Sequence, residues 1–579
     1  MTLVLLIAVP FATALLFLIA GDRLGRGASG ALGTAALAFA FGIAFAIGQA
    51  FAAGKTFLLA EIGPWLPLRG ADLTLRVGPT AVPLMLTLTG VGTLLALAAM
   101  SEGSTRTGVG RFFFALEVLV GGALLVVTAR DLVLLLAGWG AVGLASSLLL
   151  GHARQRVEGA IAGARAFVFA RASDVTLLIG ALALLALFRT VDIAEISGRL
   201  ATITPTPATD SALLGASLFI VTAVLIRTGQ LPVHSWLVGE PRGPAAADAA
   251  VNAIATLSGA ELLIRLAPAL HPTALAVAAL LGAITAVVAM VGALAKGTSR
   301  RAESWITVAQ LGAVVVAASV GSPFAANLVA IAAAFARGAA VLAADHTTPQ
   351  QERLGRITGT FAAFASLAVF VSAALLLGDD RRPFAVALLA AAALASAHLG
   401  RVFRLSGREE ATSSFATWAD AAAWTDRVKG YAHTLAEIVL AAASLMVVAL
   451  ALSGALSLGA PATGLTVGPL IVFAIIPVAI GFGVAVRGVT IQGRAARWMR
   501  VDHASEVVYD RGLLASVRLV AAALDRGAEA SLLLGGEALG IVLERTSTRV
   551  RVLGAASVWR HEAIIVAAAV AIALYWTLR

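Results

Sequence analysis

The sequence predicts an all-α, polytopic membrane protein of about sixteen transmembrane helices, with broken helices and a C-terminal amphipathic lateral helix. Of its 579 residues, 60% are hydrophobic and only 13% are charged, and the mean hydropathy is +0.94. A soluble globular protein is nearer half apolar and about a quarter charged, so this composition excludes a water-soluble enzyme. It also excludes a disordered chain, and apolar runs of about 20 residues exclude an outer-membrane β-barrel.

Apolar stretches long enough to cross a bilayer recur along the chain, and we number them as predicted spans in chain order. The first is interpreted as a membrane helix and not as a removed signal peptide, because no small-residue cleavage site and soluble domain follow it. The predicted spans are 2–20, 30–52, 80–100, 111–129, 131–150, 165–188, 212–228, 244–268, 274–295, 303–320, 323–345, 357–378, 383–403, 434–456, 469–487 and 561–577.

The basic residues are distributed unevenly between alternate connections, which predicts the orientation of the chain. Lys and Arg number 42 against 32 Asp and Glu, a net charge of +10 that we attribute to membrane topology and not to nucleic-acid binding. Because positive residues stay in the cytoplasm, we expect both termini on the non-cytoplasmic side of the cell membrane. The connections after odd-numbered spans carry Arg23, Arg26, Arg106, Arg154, Arg156, Arg242, Lys296, Arg300, Arg301, Arg353, Arg356, Arg401, Arg404, Arg408, Arg427 and Lys429.

The segment from about 505 to 555 differs from the spans because charges interrupt its apolar residues. Arg511, Arg518 and Asp525 follow one another at seven-residue spacing, which predicts an amphipathic helix that lies along a surface, either the lipid surface or neighbouring subunits. The expected organisation is therefore N-terminal helices (1–110), a transmembrane core (111–403), C-terminal helices with a cytoplasmic loop (404–500), and the lateral helix with a final span (501–579).

Polar and ionisable side chains within the spans are the candidate functional residues, because such groups are costly in a bilayer and usually functional. Plainer interpretations stay open: Arg171 and Asp174 could form a local salt bridge, Arg265 could snorkel to the interface, and His234 could be structural. Arginine does not release its proton in proteins, so an arginine in a relay biases neighbouring charges and does not hand a proton on. The candidates are Arg165, Arg171, Asp174, Arg227, His234, Asp248, Asn252, Glu261, Gln310 and Arg337.

The chain contains no cysteine, so it has no disulfide, thiolate metal site or cysteine-ligated iron–sulfur cluster of its own. We expect no resident cofactor, no metal site and no catalytic residues.

Several stretches resemble the antiporter-like membrane subunits of respiratory complex I, of the subunit 5 type, which are related to multisubunit sodium/proton antiporters. GRFFFALEVLVGGALLVVTARDLVLLLAGWGAVG and RAFVFARASD resemble the family's fourth to sixth helices. IRTGQLPVHSWL, with Gly243 and Pro244 after it, resembles its broken seventh helix and the start of its eighth, and SRRAESWITVAQLG resembles its tenth. VYDRGL and the residues after it resemble the family's lateral helix and last span. The resemblance covers most of the chain from about residue 78.

The resemblance implies a proton path, but this sequence departs from the residues that form it. Gly140 stands where the family has a glutamate, and Arg227 and Arg337 stand where it has lysines. Asn252 and Ala333 each replace a histidine, and predicted span 12 contains no lysine. The residues that are retained are Arg171, Asp174, Pro232, His234, Trp236 and Gln310.

Three functions follow from these observations. The first is a membrane-arm subunit of a complex I-like assembly, of the NADH:quinone oxidoreductase type, that takes part in proton translocation or its coupling. The second is a membrane subunit of an inorganic-carbon uptake complex with a zinc-bearing cytoplasmic partner. The third is a degenerate structural subunit that moves no ions. The lateral helix favours the first, because in complex I it braces adjacent membrane subunits, and the changed proton-path residues favour the other two.

Overall fold

The computed structural model describes residues 2–406 and a few positions between 435 and 482. The described helices belong to one compact unit that comprises Met1–Ile62 and Leu66–Ala496, and a second unit, Gly63–Trp65 with Arg497–Arg579, lies almost wholly outside the described residues. Short gaps in the first range are residues 22, 65, 68, 102–107, 154–156, 203–205, 239–242, 297–299, 322, 345–348 and 378–380.

The described part of the chain is helical apart from one β-hairpin. The hairpin pairs β1 (Leu58–Pro64) with β2 (Asp72–Val77). The α-helices are α1 (Thr2–Ala20), α2 (Arg26–Ala52), α3 (Val82–Ser101), α4 (Val109–Thr128), α5 (Leu132–Leu150), α6 (Val157–Phe188), α7 (Ile193–Thr202), α8 (Pro207–Arg227), α9 (Ala245–Ala250), α10 (Thr256–Leu266), α11 (Pro272–Lys296), α12 (Arg300–Val320), α13 (Pro323–Ala343), α14 (Pro349–Leu375) and α15 (Arg382–Ser406).

These helices confirm the predicted membrane fold. Predicted spans 1 to 13 each coincide with a helix, or, for span 8, with α9 and α10 joined by a π-helical segment, Val251–Ala255. Twelve helices in the described part are long and apolar enough to cross a membrane, and the apolar part of α14, Thr358–Ala374, is shorter. Predicted spans 14 to 16 and the lateral helix lie outside the described residues, apart from isolated helical positions, so the count of sixteen is not confirmed.

Two elements were not predicted from the sequence: the hairpin and the short helix α7. Both lie in connections that join spans, where composition gives no bilayer-length apolar run. β1 and β2 are too short to have produced a membrane signal, and α7 has only 10 residues. The all-α prediction therefore holds for the membrane helices, and the one exception among the described residues is the hairpin in the connection between α2 and α3.

A group of polar and backbone contacts, which we call the polar strap, joins the hairpin to the end of α4 and to the starts of α5 and α7. Leu75 of β2 forms a β-bridge with Ala129, Asp131 forms another with Asp192, and the Arg130 Nε donates to Asp192 Oδ2 at 2.6 Å. Asp131 also caps α5, because its Oδ1 accepts the backbone N–H groups of the second and third residues after it, at 2.8 and 2.9 Å. Burial, together with a smaller contribution from the neighbouring Asp192 carboxylate, raises the pKa of Asp131 from 3.8 to about 6, although the backbone hydrogen bonds that it accepts act to lower it.

The other end of the strap contains Glu195 of α7. Its carboxylate accepts a hydrogen bond from Thr190 Oγ1 at 2.7 Å and pairs with Arg199 at 2.6 Å and with Arg69 at 2.8 Å. The hydrogen bond from Thr190, with those of the arginines, lowers the pKa of Glu195. This part of the strap is therefore held by charged groups near the surface.

The centre of the bundle is formed by α4 and by the helical run Ala245–Ala269, which are each 94% buried across their apolar stretch. Small residues allow close helix contact there: a Cβ on Gly122 of α4 would lie 3.0 Å from the carbonyl oxygen of Gly138 in α5. Such contacts are how membrane helices associate when lipid is as apolar as their side chains. Outer helices expose large apolar side chains, such as Ile19, Phe39 and Leu280, as a lipid-facing surface requires.

Candidate functional site

Helix α8 ends at Arg227 and is followed by an irregular turn within the bundle. Gly229 has φ of +60°, a left-handed conformation that favours glycine, and the Leu231–Pro232 peptide bond is cis. A 3-10 turn, His234–Trp236, follows, and its Trp236 Nε1 donates to the carbonyl of Ile226 at 2.8 Å. The predicted break after this helix is therefore present, and a side chain satisfies a carbonyl at the helix end.

Arg227 lies at the centre of the buried polar cluster. It is 2% exposed, and its Nη2 donates to Asp174 Oδ1 at 2.9 Å and to the carbonyl of Trp139 at 3.1 Å. Its guanidinium also lies over the Trp139 ring, 4.5 Å from the centroid, which is a cation–π contact. The guanidinium is thus held by the carboxylate of Asp174 and by the carbonyl and the aromatic face of Trp139.

Asp174 connects this cation to a second one. Its Oδ2 lies 2.7 Å from Arg171 Nη2, so one carboxylate faces two guanidinium groups. The local salt bridge predicted for this pair is present, and it forms one part of a larger network. Arg171 is the more exposed of the two arginines and lies over the Phe167 ring at 5.2 Å.

The Trp139 ring is fixed by a chain of hydrogen bonds that links α5, α6 and α8. Trp139 Nε1 donates to Ser173 Oγ at 3.2 Å, and Ser173 Oγ donates to the carbonyl of Ala223 at 2.8 Å. A small cavity beside Arg227 is lined in part by Ser146, Ser173 and Trp236. Ser173 therefore both orients the Trp139 ring and lines the cavity beside the guanidinium.

Glycines provide the space that Arg227 occupies. A Cβ on Gly143 would lie 2.7 Å from Arg227 Nη1, and a Cβ on Gly259 of α10 would lie 3.0 Å from Arg227 Cγ. Gly140, one turn before Gly143, has open space instead: no atom lies within 4 Å of the position of its Cβ. The position that the resemblance assigns to a glutamate is thus not filled by any neighbouring group of the described residues.

Asp248 and Glu261, two other acidic candidates, are not the carboxylates that contact Arg227. Asp248 forms a short ion pair with Arg300 of α12, whose guanidinium also donates to the carbonyl of Gly243 at 3.1 Å. Glu261 lies one turn before Arg265 in α10. Asp174, on α6, is the carboxylate that reaches Arg227, because α6 and α8 pack side by side.

Arg337 lies against the π-helical segment Val251–Ala255. It is 2% exposed, its Nε donates to the carbonyl of Asn252 at 2.6 Å, and its Nη2 lies 3.5 Å from the carbonyl of Ala253. A π-helical segment changes the hydrogen-bond pattern of a helix, so its carbonyls are open to partners from outside the helix. Among the described residues, no carboxylate pairs with Arg337, and its Nη1 has no hydrogen-bond partner.

The remaining candidates fall at several places around these two arginines. Arg165 Nη1 lies 3.5 Å from the carbonyl of Ser235, and the His234 ring lies 5.0 Å from the Trp305 ring of α12. Asn252 donates to the Asp248 carbonyl at 2.7 Å. Gln310 is fully buried, and within the described chain neither polar atom of its amide has a partner. Such buried amides are where ordered water is expected in proteins.

Sequence reasoning missed three features of this region. It left open that Arg265 snorkels to the interface, whereas Arg265 donates to the carbonyls of Val126 and Ala129 at the end of α4. It assigned Arg300 to a cytoplasmic connection and not to Asp248. It also passed over Glu117, a buried carboxyl in α4, although a lone glutamate within a 20-residue apolar stretch is a visible signal.

Among the described residues, no group of three or more His, Asp or Glu side chains could hold a metal ion. The chemistry of the cluster is that of held charges and buried hydrogen bonds. The carboxyl groups, and the imidazole of His234, are the only kinds of group in it that exchange protons near neutral pH.

Residues 129–376 match the family described as NADH:quinone oxidoreductase/Mrp antiporter, transmembrane region. The chain is 30% identical over 329 residues to NADH-quinone oxidoreductase subunit L of Mycobacterium tuberculosis (strain ATCC 25618 / H37Rv), covering 55% of this chain and 50% of that protein. It is 29% identical over 250 residues to the chloroplastic NAD(P)H-quinone oxidoreductase subunit 5 of Zygnema circumcarinatum, covering 42% of this chain and 36% of that one. The chain therefore matches half of the length of the Mycobacterium tuberculosis protein and about a third of the length of the Zygnema circumcarinatum protein.

Two solved structures have a similar fold. A chain of the Mrp complex from Dietzia sp. DQ12-45-1b superposes with a TM-score of 0.68 at 18% identity, covering 94% of this chain and 63% of that one. A chain of respiratory complex I from Thermus thermophilus with bound Aureothin superposes with a TM-score of 0.57 at 18% identity, covering 77% of this chain and 97% of that one.

The matched residues 129–376 contain all ten candidate residues and the whole Arg227 cluster. The chain is a multi-pass membrane protein of antiporter-like fold, and its resemblance to the antiporter-like membrane subunits of complex I and the related antiporters is confirmed.

Proposed function

We propose that the chain is a membrane-arm subunit of a complex I-like assembly and takes part in proton translocation or its coupling. The observation that carries this proposal is the buried cluster of Arg227, Asp174 and Trp139, within the residues that match the NADH:quinone oxidoreductase/Mrp antiporter family. A protein does not bury an ion pair in a membrane span without cost, so such a pair indicates a role in moving or sensing charge.

In this proposal Arg227 and Arg337 act as fixed positive charges. Arginine stays protonated at physiological pH, so neither side chain passes on a proton. Arg227 holds Asp174 in its ionised form through direct contact, since removal of that charge would leave a buried guanidinium without a counter-ion. Arg337 places a positive charge against the open carbonyls of Asn252 and Ala253.

The proposed setting is the cell membrane, with both termini on the non-cytoplasmic side and with other membrane subunits as partners. The Lys and Arg asymmetry between alternate connections supports the orientation. The seven-residue spacing of Arg511, Arg518 and Asp525 supports a lateral helix at about 505–555 that contacts those subunits.

A structural subunit that moves no ions is the second candidate. Gly140 favours this candidate, because the resemblance assigns a proton-path glutamate to this position. The glycine has no carboxyl group, and the space beside it is open. Both candidates predict assembly with partners, but only the first predicts that the chain affects proton flux.

The test is to purify the assembly from its native membrane through a tag on this chain, identify its subunits, and reconstitute it in vesicles. Quinone-reductase subunits and a proton flux that falls with Asp174→Asn at normal assembly would support the proposal. A normal flux in that variant would favour the structural candidate, and a zinc-bearing cytoplasmic partner would overturn both. Deletion of residues 505–579 should release the chain from its partners, and an assembly of unchanged composition would refute the lateral-helix proposal.

A further inference from the structure

Glu117 is a carboxyl group in the middle of α4, one of the two most buried spans in the described part of the chain. It is 0% exposed, and within the described chain neither of its carboxyl oxygens has a hydrogen-bond partner. It lies in α4, twelve residues before the start of the family match at residue 129. It takes no part in the contacts that form the Arg227 cluster, on which the proposed function rests.

Contacts one turn on either side place Glu117 on the face of α4 that packs against α1. The Phe113 and Phe17 rings are stacked with centroids 5.5 Å apart, and a Cβ on Gly121 would lie 3.1 Å from the Phe11 ring. Since residues four apart lie on the same side of a helix, Glu117 shares this face with Phe113 and Gly121.

The helices on this side of α4 offer almost no charged group. Neither α1 nor α3 contains an ionisable residue, and α2 contains only Arg26, at its start. Arg26 Nη2 donates to the carbonyl of Met100 at 2.8 Å. In α4 itself the only other ionisable residue is Arg111, whose Nη2 donates to the carbonyl of His152 at 2.6 Å.

The helices on the other sides of α4 direct their charges elsewhere. Helix α5 has no ionisable residue, and Asp248 of α9 pairs with Arg300. In α10, Glu261 lies one turn from Arg265, which donates to backbone carbonyls at the far end of α4. No cation in the described part of the chain forms an ion pair with Glu117.

An ionised carboxylate without a partner in an apolar interior is far more costly than the neutral carboxylic acid. We propose that Glu117 is a proton-binding site inside the membrane: its carboxylate binds a proton from water, forms a neutral O–H group, and returns that proton to water. Carrying even the neutral acid there without a hydrogen bond costs stability, which a Leu or Ala at this position would avoid. A group that is retained at such a cost in a membrane span is functional by default.

This site goes beyond the proposed function, because a carboxyl group releases a proton and a guanidinium does not. It would give the chain a proton-exchanging group at the α1–α4 interface, outside the region matched by the family. The inference does not depend on whether the assembly pumps protons.

The test uses infrared spectroscopy of the full-length protein in lipid vesicles at neutral pH, in H₂O and in D₂O. The wild-type protein should have a carbonyl band of a protonated carboxylic acid that shifts in D₂O. Glu117→Gln should lose this band, and the matched control Glu158→Gln, at an exposed position of α6, should keep it.

A wild-type spectrum without this band, or a band unchanged in Glu117→Gln, would overturn the proposal. A band that is lost in Glu117→Gln but never shifts in D₂O would also overturn it, since the acid would then be a static structural group. If the Gln variant does not fold, Glu117→Asp replaces it: the band should move in frequency, and an unmoved band contradicts the assignment. The infrared band reports only on the protonation of Glu117 and does not depend on the proton flux of the assembly. The failure of this proposal and the failure of the proposed function can therefore be told apart.

Discussion

Substitution of Gly143 by alanine should disrupt the Arg227 cluster without changing any charge. A Cβ at residue 143 would lie 2.7 Å from Arg227 Nη1, 3.0 Å from its Nη2 and 3.0 Å from the Ala170 Cβ. A guanidinium at the end of a flexible side chain could in principle move away. Here the guanidinium donates to Asp174 and to the Trp139 carbonyl, so a shift away from residue 143 gives up or weakens these hydrogen bonds.

The expected loss follows from the contacts that are given up. A hydrogen bond to a charged group contributes about 1.5–3 kcal/mol, and alanine regains about 1 kcal/mol over glycine within a helix. Gly140→Ala is the matched control, because it lies in the same helix and its Cβ would meet no atom within 4 Å. The helix-propensity gain cancels between the two variants, so Gly143→Ala should be about 2 kcal/mol less stable than Gly140→Ala.

The assay is thermal unfolding of the purified protein in detergent, followed by circular dichroism and by tryptophan fluorescence, which also reports on Trp139. Gly140→Ala should unfold at or slightly above the wild-type temperature, and Gly143→Ala clearly below it. Equal unfolding temperatures for the two variants would refute the argument, because they would mean that the Arg227 guanidinium does not occupy the space beside Gly143.

Three further predictions concern other parts of the chain. Because the pKa of Asp131 is raised to about 6, its contribution to stability should be present below about pH 4 and lost as pH rises through 6, by at most about 3 kcal/mol. The free energy of unfolding, measured against pH, should lose this dependence in Asp131→Asn. A pH profile of the variant equal to that of the wild type would contradict the prediction. Arg337→Leu should lower the purified yield less than Arg227→Leu. In the described chain Arg337 contacts backbone carbonyls, whereas Arg227 forms an ion pair with the Asp174 carboxylate. Equal losses of yield in the two variants would disprove this. Reporter fusions at Gly25 and Gly54 should give opposite signals, cytoplasmic at Gly25, and the same signal at both would exclude the orientation.

The membrane fold was predictable because hydrophobic length is a strong local signal. Thirteen predicted spans coincide with helices, and even the break after Arg227 was visible from Gly229 and Pro232. The hairpin and α7 were not predictable in this way, because their positions depend on contacts such as the Asp131–Asp192 bridge between distant parts of the chain.

The charged residues of the Arg227 cluster were visible in the sequence, but Trp139 and the pairings between these residues were not. Arg227 and Asp174 were both candidates, yet nothing in the sequence indicates that they meet, since 53 residues separate them and the contact depends on how α6 and α8 pack. The pairing of Asp248 with Arg300, 52 residues away, depends on packing for the same reason. Glu117 was visible as a lone acid in an apolar stretch, but its lack of a partner is a property of the packed bundle.

The most direct test of the fixed-charge account is the proton flux of the reconstituted assembly with Arg227→Lys compared with Arg227→Leu. Lysine keeps the positive charge beside Asp174, so flux should be unchanged or increased. Leucine should mainly lower the yield of the assembly, because it leaves the Asp174 carboxylate paired only with the more exposed Arg171. If Arg227→Lys instead abolishes a robust wild-type flux while assembly stays normal, the account is contradicted, and the shape of the guanidinium itself is required for transport.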